Sequence, residues 1–251
     1  MLNISDLIGK VNHQNWKNST PEQRAAILQD IEYMAASEQG RQARYIMPTA
    51  MDDNYAGLFD KTTPFLLQVN EKWLSDEMVD QGANYECLDT VLHEGRHALQ
   101  YDVINGKAEV DPEKAELWKM NDVIYRSPEN GTAEYRFQPN ESDSFSYAQK
   151  NADLIHEQMP DDQGYDQYLS RRQTFDDKAL ELAAKNYGVR YEREIASDIQ
   201  KQYAEYEEAS QSDEELLQPS AKSDDSEGSS SENNKDDDEK KDNDYFYGYG
   251  Y

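Results

Sequence analysis

Apolar residues recur along the chain with two different periods, and the change of period marks the elements. After Ser19-Thr20-Pro21-Glu22-Gln23, Ile27, Leu28, Ile31 and Met34 fall at helical spacing. Thr20 suits an N-cap, Pro21 the first helical position, and Gln23 completes a capping box, so a helix is expected from here to Gly40, which can end it. Between Arg44 and Asn70 the helical period is lost. Tyr45-Ile46-Met47 and Phe65-Leu66-Leu67-Gln68-Val69 read as strands. Asn54 to Pro64, with Gly57, Asp60 and Pro64, reads as the turn between them, which predicts a small sheet with an exposed edge.

The helical period then returns. Leu88, Val91, Leu92, Gly95, Ala98 and Leu99 form one apolar or small face of a helix expected over 84–102. Asp89, His93, His97 and Tyr101 recur every fourth residue on a different face. One side packs and the other presents polar groups in a row. Further helices are expected over 112–122, 140–156 and 165–209, the last broken at Gly188. Beyond Ser210 the chain is almost all Ser, Asp, Glu, Asn and Lys, too polar to offset the entropy of ordering, so a disordered acidic tail is expected. It closes on Tyr245-Phe-Tyr-Gly-Tyr-Gly-Tyr251, which reads either as a docking peptide or as a segment with no partner. The expected fold is α+β, mostly helical with a small sheet. Its parts are a lead-in over 1–19, a domain over 20–160, a helical extension over 161–209 and the tail over 210–251.

Composition and charge then refine this picture. Hydrophobic residues make up 36% of the 251 residues, but the deficit lies in the tail, so the remainder can bury a core. Residues 211–251 carry 13 acidic and 4 basic side chains, a net of −9, which leaves −18 of the total −27 on the rest. Such a surface repels phosphate backbones and speaks against direct nucleic-acid binding; it serves solubility or a basic partner. The single cysteine, Cys87, permits no intramolecular disulfide, which fits a reducing compartment. Met1 to Lys10 has neither a basic nor an apolar signal region, and no run reaches the ~18 apolar residues of a membrane span. A cytoplasmic protein with no membrane partner is expected, with signal-less secretion left open. Oligomeric state leaves no mark in the sequence.

The chemistry lies in His93-Glu94-Gly95-Arg96-His97. Four residues of helix turn a little over one revolution, so both imidazoles project from one face and can chelate one Zn²⁺. The glutamate beside the first histidine can take a proton from a water attacking a carbonyl at the metal. The chain has only four histidines, and this spacing around a glutamate arises by accident on the order of 1% of the time. The plain alternative is two surface histidines beside an ordinary glutamate.

A catalytic zinc site needs a third protein ligand. No histidine follows His97 closely, so the candidate is Glu141, 44 residues on (141 − 97), placed in a first helical turn by Pro139 and Asn140. With these residues the chain resembles zincin metallopeptidases of the glutamate-ligand kind, the gluzincins. There the ligand stands in Glu-x-x-Ala with a small residue one turn on; Glu141, Ser144 and Ala148 match, with Ser for the first Ala. Tyr85 to His97 and Gln138 to Asp143 also resemble segments of zincin-like domains from bacteria and their mobile elements. The resemblance covers residues 20–155. It implies a zinc-dependent peptidase with His93, His97 and Glu141 as ligands, Glu94 as general base, and a protein or peptide substrate lying along a sheet edge such as 65–69. Two positions depart from it. Arg96 stands where relatives have glycine, and Phe145 where several have aspartate, so Asp143 stays open as a ligand or as a partner of a ligand histidine.

Tyr101, Tyr135 and Arg136 are candidates for stabilising an oxyanion, although most of the 18 tyrosines must serve packing. Asp89 could orient His93 or sit solvated on the helix. His13 and His156 read as surface residues, and Cys87 as a buried thiol. Two rival readings stand beside the peptidase: an interaction protein with a vestigial or structural metal site, and a toxin-like protease effector.

Overall fold

The computed structural model describes residues 4–217 and 247–250. It is α+β and mostly helical, with the sheet covering one side of a central helix. The chain opens with α1 (Ile4–Val11) and α2 (His13–Asn18), then α3 (Pro21–Gln39). The start of α3 is as its sequence demands: Thr20 caps it, the Thr20–Gln23 capping box is complete, Pro21 stands in the first turn, and Gly40 ends it at φ 68°. Strands β1 (Tyr45–Thr49), β2 (Tyr55–Phe59) and β3 (Leu66–Asn70) follow, then the short α4 (Glu71–Leu74). The long α5 (Ala83–Ile104) carries the histidine motif. After it come α6 (Pro112–Val123), α7 (Thr132–Phe137), α8 (Pro139–Gln158), α9 (Tyr165–Tyr187) and α10 (Tyr191–Leu217), with the break between the last two at Gly188, φ 73°. Residues Tyr247–Gly250 form β4.

The sheet order is β1-β3-β2-β4, with β1 parallel to β3 and the other pairs antiparallel. α3, α8 and β2 all pack on α5. As a result α5 is buried almost all round, including Asp89, His93 and His97 of its polar row, with Tyr101 half-buried. Spacing along one helix reports a face, but not what other parts of the chain bring to it. The main core runs from Leu7, Val11 and Trp16 through Leu28 and Ile31 to Val91, Leu92, Phe145, Tyr165 and Tyr168. The lead-in is therefore two helices feeding the core, and α9 feeds the same core from beyond residue 160. A second cluster, Ala133, Phe137, Ala179, Ala183, Ile195 and Ile199, binds α7, α9 and α10 together.

Other expectations change as well. The segment read as a turn contains β2. Its Gly57 makes no turn there; a Cβ on it would lie 2.3 Å from Thr90 Cγ2 and 2.8 Å from the Gln68 carbonyl, so glycine is what lets β2 rest directly on α5. His13 is buried, with Nε2 3.2 Å from Asp80 Oδ1, and His156 is half-buried and stacked on Tyr165 at 3.6 Å, so neither is a free surface residue. Cys87 is buried as expected, and burial raises its thiol pKa well above the ordinary value. Helix α10 runs to Leu217, past the point where the tail was expected to begin; residues 218–246 and 251 lie outside the described residues. No helix among the described residues is long and apolar enough to cross a membrane.

If β2 rests on α5 through Gly57, Gly57→Val overpacks that contact. It is expected to cost about 1–3 kcal/mol and to lower the thermal midpoint by roughly 2–12 °C. Calorimetry on the purified variant checks this, and an unchanged midpoint would mean the strand has room to spare.

Candidate metal centre

The site is built where the middle of α5 meets the start of α8. His93 and His97 stand one turn apart on α5. Glu141 lies in the first turn of α8, where unpaired N–H groups favour a carboxylate. That turn is fastened to the loop after α6 and to α6 itself. Gln138 Oε1 accepts from Asn121 Nδ2 and from the Arg126 N–H, both at 2.9 Å, and Asn121 Oδ1 accepts from the Asn140 N–H at 2.8 Å. From the opposite side of α5, Gly95 leaves room for a fully buried ion pair. There Arg41, just past the end of α3, donates to both oxygens of Glu32 within α3 at 2.6 and 2.8 Å, and the pair lies against Gly95.

Three donor atoms converge. His93 Nε2 and His97 Nε2 are 3.1 Å apart; Glu141 Oε2 is 3.2 Å from the former and Oε1 3.1 Å from the latter. All three residues are at most 1% exposed. Bonds of about 2.0–2.2 Å at tetrahedral angles separate donor atoms by ~3.3–3.6 Å, and the spacing between the two imidazole nitrogens, and from each to its facing carboxylate oxygen, is close to that. The group His93, His97 and Glu141 can hold a metal ion.

The neighbours decide the protonation of His97. Gln100 Nε2 donates to the Asn140 carbonyl at 2.9 Å, which can only accept, so Gln100 Oε1 faces the imidazole. Oε1 lies 2.8 Å from His97 Nδ1, which therefore carries a proton and leaves Nε2 to the site. A buried carboxylate facing two imidazole nitrogens calls for positive charge between them. Either a proton on His97 or a metal cation supplies it. Burial pushes His93 down, to about 4. Burial acts likewise on His97, but the charge and hydrogen bonds of Glu141 outweigh it and raise that imidazole. Glu141 is held far below the ordinary carboxylate range, because the facing imidazoles overcome the upward push of burial.

Asp143 does not join this group. Its oxygens are taken by Arg96 Nε at 2.6 Å and Lys114 Nζ at 2.5 Å. Arg96 thus has its own work in this chain: it joins α5 to α8 while lying over the Trp118 and Tyr147 rings. Phe145 packs edge-on against His93, with ring centroids 4.6 Å apart. Asp89 is fully buried rather than solvated. Of the oxyanion candidates, only Tyr135 stands at the site. Burial first, then the charges of Glu141 and Glu94, push its phenol well above the ordinary value. Arg136 is drawn off to Asp176 at 2.7 Å, and Tyr101 packs against Phe59. Two residues escaped the sequence reading. Tyr125 donates to Glu141 Oε1 at 2.7 Å, and Gln100 orients His97. Gln100 stands three residues after a motif histidine, which is a legible spacing; nothing local marks Tyr125.

Glu94 leaves the ligand triangle and turns to the sheet, where its Oε2 accepts from the Phe59 N–H at 2.8 Å. The strand beside the motif is therefore β2, which lies between β3 and β4, and not the 65–69 strand, which lies inside the sheet as β3. Beside Tyr135 opens a cavity of about 590 Å³, lined also by Tyr55, Arg171, Thr174, Phe175 and Lys178. In comparison with known proteins, no family model, no curated protein and no solved structure matches this chain.

The ligand set makes a sharp contrast testable. Glu141→Ala is expected to abolish stoichiometric binding of a divalent ion, whereas Asp143→Ala keeps it; metal titration by calorimetry reads both. Equal stoichiometry in the two variants would remove Glu141 from the site.

Proposed function

We propose that this chain is a zincin-like, zinc-dependent metallopeptidase. The observation that carries the reading is a buried group of two imidazoles and one carboxylate, with the Glu94 carboxylate next in sequence to His93 and turned to the Phe59 N–H. Two histidines, a glutamate and one open position are the donor set of catalytic zinc. A purely structural site fills its positions with protein ligands and has no use for Glu94 beside them, which disfavours the interaction-protein alternative.

His93, His97 and Glu141 would hold the ion. When bound, zinc supplies a Lewis acid that lowers the pKa of a water and polarises the substrate carbonyl. Glu94 would take the proton of the attacking water and deliver it to the leaving amine. The Phe59 N–H holds one oxygen of the Glu94 carboxylate to the strand along which a peptide would lie. Tyr135, kept protonated by its surroundings, donates a hydrogen bond to the oxygen on which negative charge develops. Gln100, facing Nδ1, would leave His97 Nε2 to serve as the donor. The cavity beside Tyr135 offers room for a substrate side chain, and Phe175 and Tyr135 give it aromatic walls.

Glu94→Gln is expected to retain one zinc per chain and to lose roughly 10²–10⁴-fold in peptide hydrolysis, the usual weight of a general base. Cleavage of a denatured-protein digest, followed by mass spectrometry, measures it. Wild-type rates in the variant would reject the mechanism.

A further inference from the structure

The two outer strands of the three-stranded core sheet differ. β1 is largely exposed and contains Pro48, which removes one ladder donor, a common way to blunt an edge. β2 has no proline, and Tyr247–Gly250 of the same chain pairs along it in antiparallel fashion. Phe59 lies opposite Tyr247, Leu58 opposite Gly248 and Gly57 opposite Tyr249; the register then shifts, and Tyr55 meets Gly250. β4 also lies against α5. Phe59 is the residue whose N–H holds Glu94, so this ladder runs directly past the candidate base. With β4 in place, His93, Glu94 and His97 are at most 1% exposed.

Alternate positions of a strand share a face. Positions 247 and 249 stand opposite Phe59 and Gly57, and both are tyrosine. Positions 248 and 250 stand opposite Leu58 and Tyr55, and both are glycine. The aromatic–glycine alternation thus matches the period of this edge.

We propose that the outer edge of β2 is a peptide-docking edge whose resident occupant is this chain's own Tyr247–Gly250 segment. An incoming extended peptide must displace that segment before it can reach Glu94. The docking stands on the strand pairing alone; that it holds off a substrate rests on the peptidase reading. Twenty-nine residues separate Leu217 from Tyr247 (246 − 217), enough chain to span ~100 Å, so the segment can leave and return without disturbing α10. It acts as a tethered ligand, with an effective concentration on the order of millimolar.

The test compares the full chain with a full-length variant carrying Tyr247→Pro and Gly248→Pro. Successive N–H groups along a strand point to opposite edges, so one of the two prolines removes a donor to β2 in either phase. A labelled heptapeptide, Tyr-Phe-Tyr-Gly-Tyr-Gly-Tyr, serves as the probe, with EDTA present so that it is not consumed. Hydrogen–deuterium exchange of residues 55–59 and fluorescence anisotropy are the readouts, and matching thermal midpoints show that both proteins are folded. The proline variant should exchange at 55–59 about tenfold faster or more and bind the probe about tenfold more tightly. Saturating probe should then restore protection. Unchanged exchange and unchanged probe affinity would overturn the docking proposal, whatever the hydrolytic activity. If exchange and affinity change as stated while neither protein hydrolyses any peptide in the presence of zinc, the docking stands and the peptidase reading falls.

Discussion

A carboxylate buried at the start of α8 has to be matched by positive charge, and the rest of the structure follows from that requirement. Leaving such a group ionised and unmatched in the interior would cost several kcal/mol. Glu141 is matched from α5 by two imidazoles and supported by the Tyr125 hydroxyl. For those groups to meet, α5 has to run through the middle of the molecule with α8 laid along it. This explains why charged and polar side chains of α5 are buried yet engaged. Gln100 meets Asn140 and His97, Asp102 meets Arg44 at 2.6 Å, and Glu86 meets Arg171 at 2.8 Å. The helix is held in place by polar contacts on several sides, and the donor triangle inherits that rigidity.

Much of this was legible in the sequence because the relevant signals are local. The Thr20–Gln23 capping box, the period of α5, the break at Gly188, and the Pro139 start that puts Glu141 in a first turn each depend on a few neighbouring residues. The motif itself is a local spacing. What stayed hidden depends on distant partners. Gly57 looked like turn chemistry because its reason for being glycine is Thr90, 33 positions away (90 − 57). A turn at that glycine hides β2 and leaves the 65–69 strand as the apparent edge. Tyr125 reaches Glu141 through the fold alone. Asp143 and Glu141 could not be separated by sequence, since only the positions of Arg96 and Lys114 show which carboxylate is already occupied.

The region beside the triangle has two features suited to an extended chain. β2 lies across the Glu94 turn with its backbone on the motif helix, and the cavity near Tyr135 begins where β2 begins, at Tyr55. A backbone bound along the strand and a side chain lodged in the cavity would be fixed at two points on either side of the donors, which is how binding energy holds a reacting bond in register. The pairing of Tyr247–Gly250 with that strand places a piece of the molecule's own chain where such a ligand would lie.

The account stands on a metal ion shared by His93, His97 and Glu141. X-ray absorption at the zinc edge of the full-length, zinc-loaded protein tests it most directly. It should give two imidazole nitrogens at about 2.0–2.1 Å and low-atomic-number oxygen neighbours at about 2.0–2.2 Å in a four-coordinate shell. A sulfur neighbour near 2.3 Å, or a shell of oxygen atoms without imidazole scattering, would place the metal elsewhere and contradict the account.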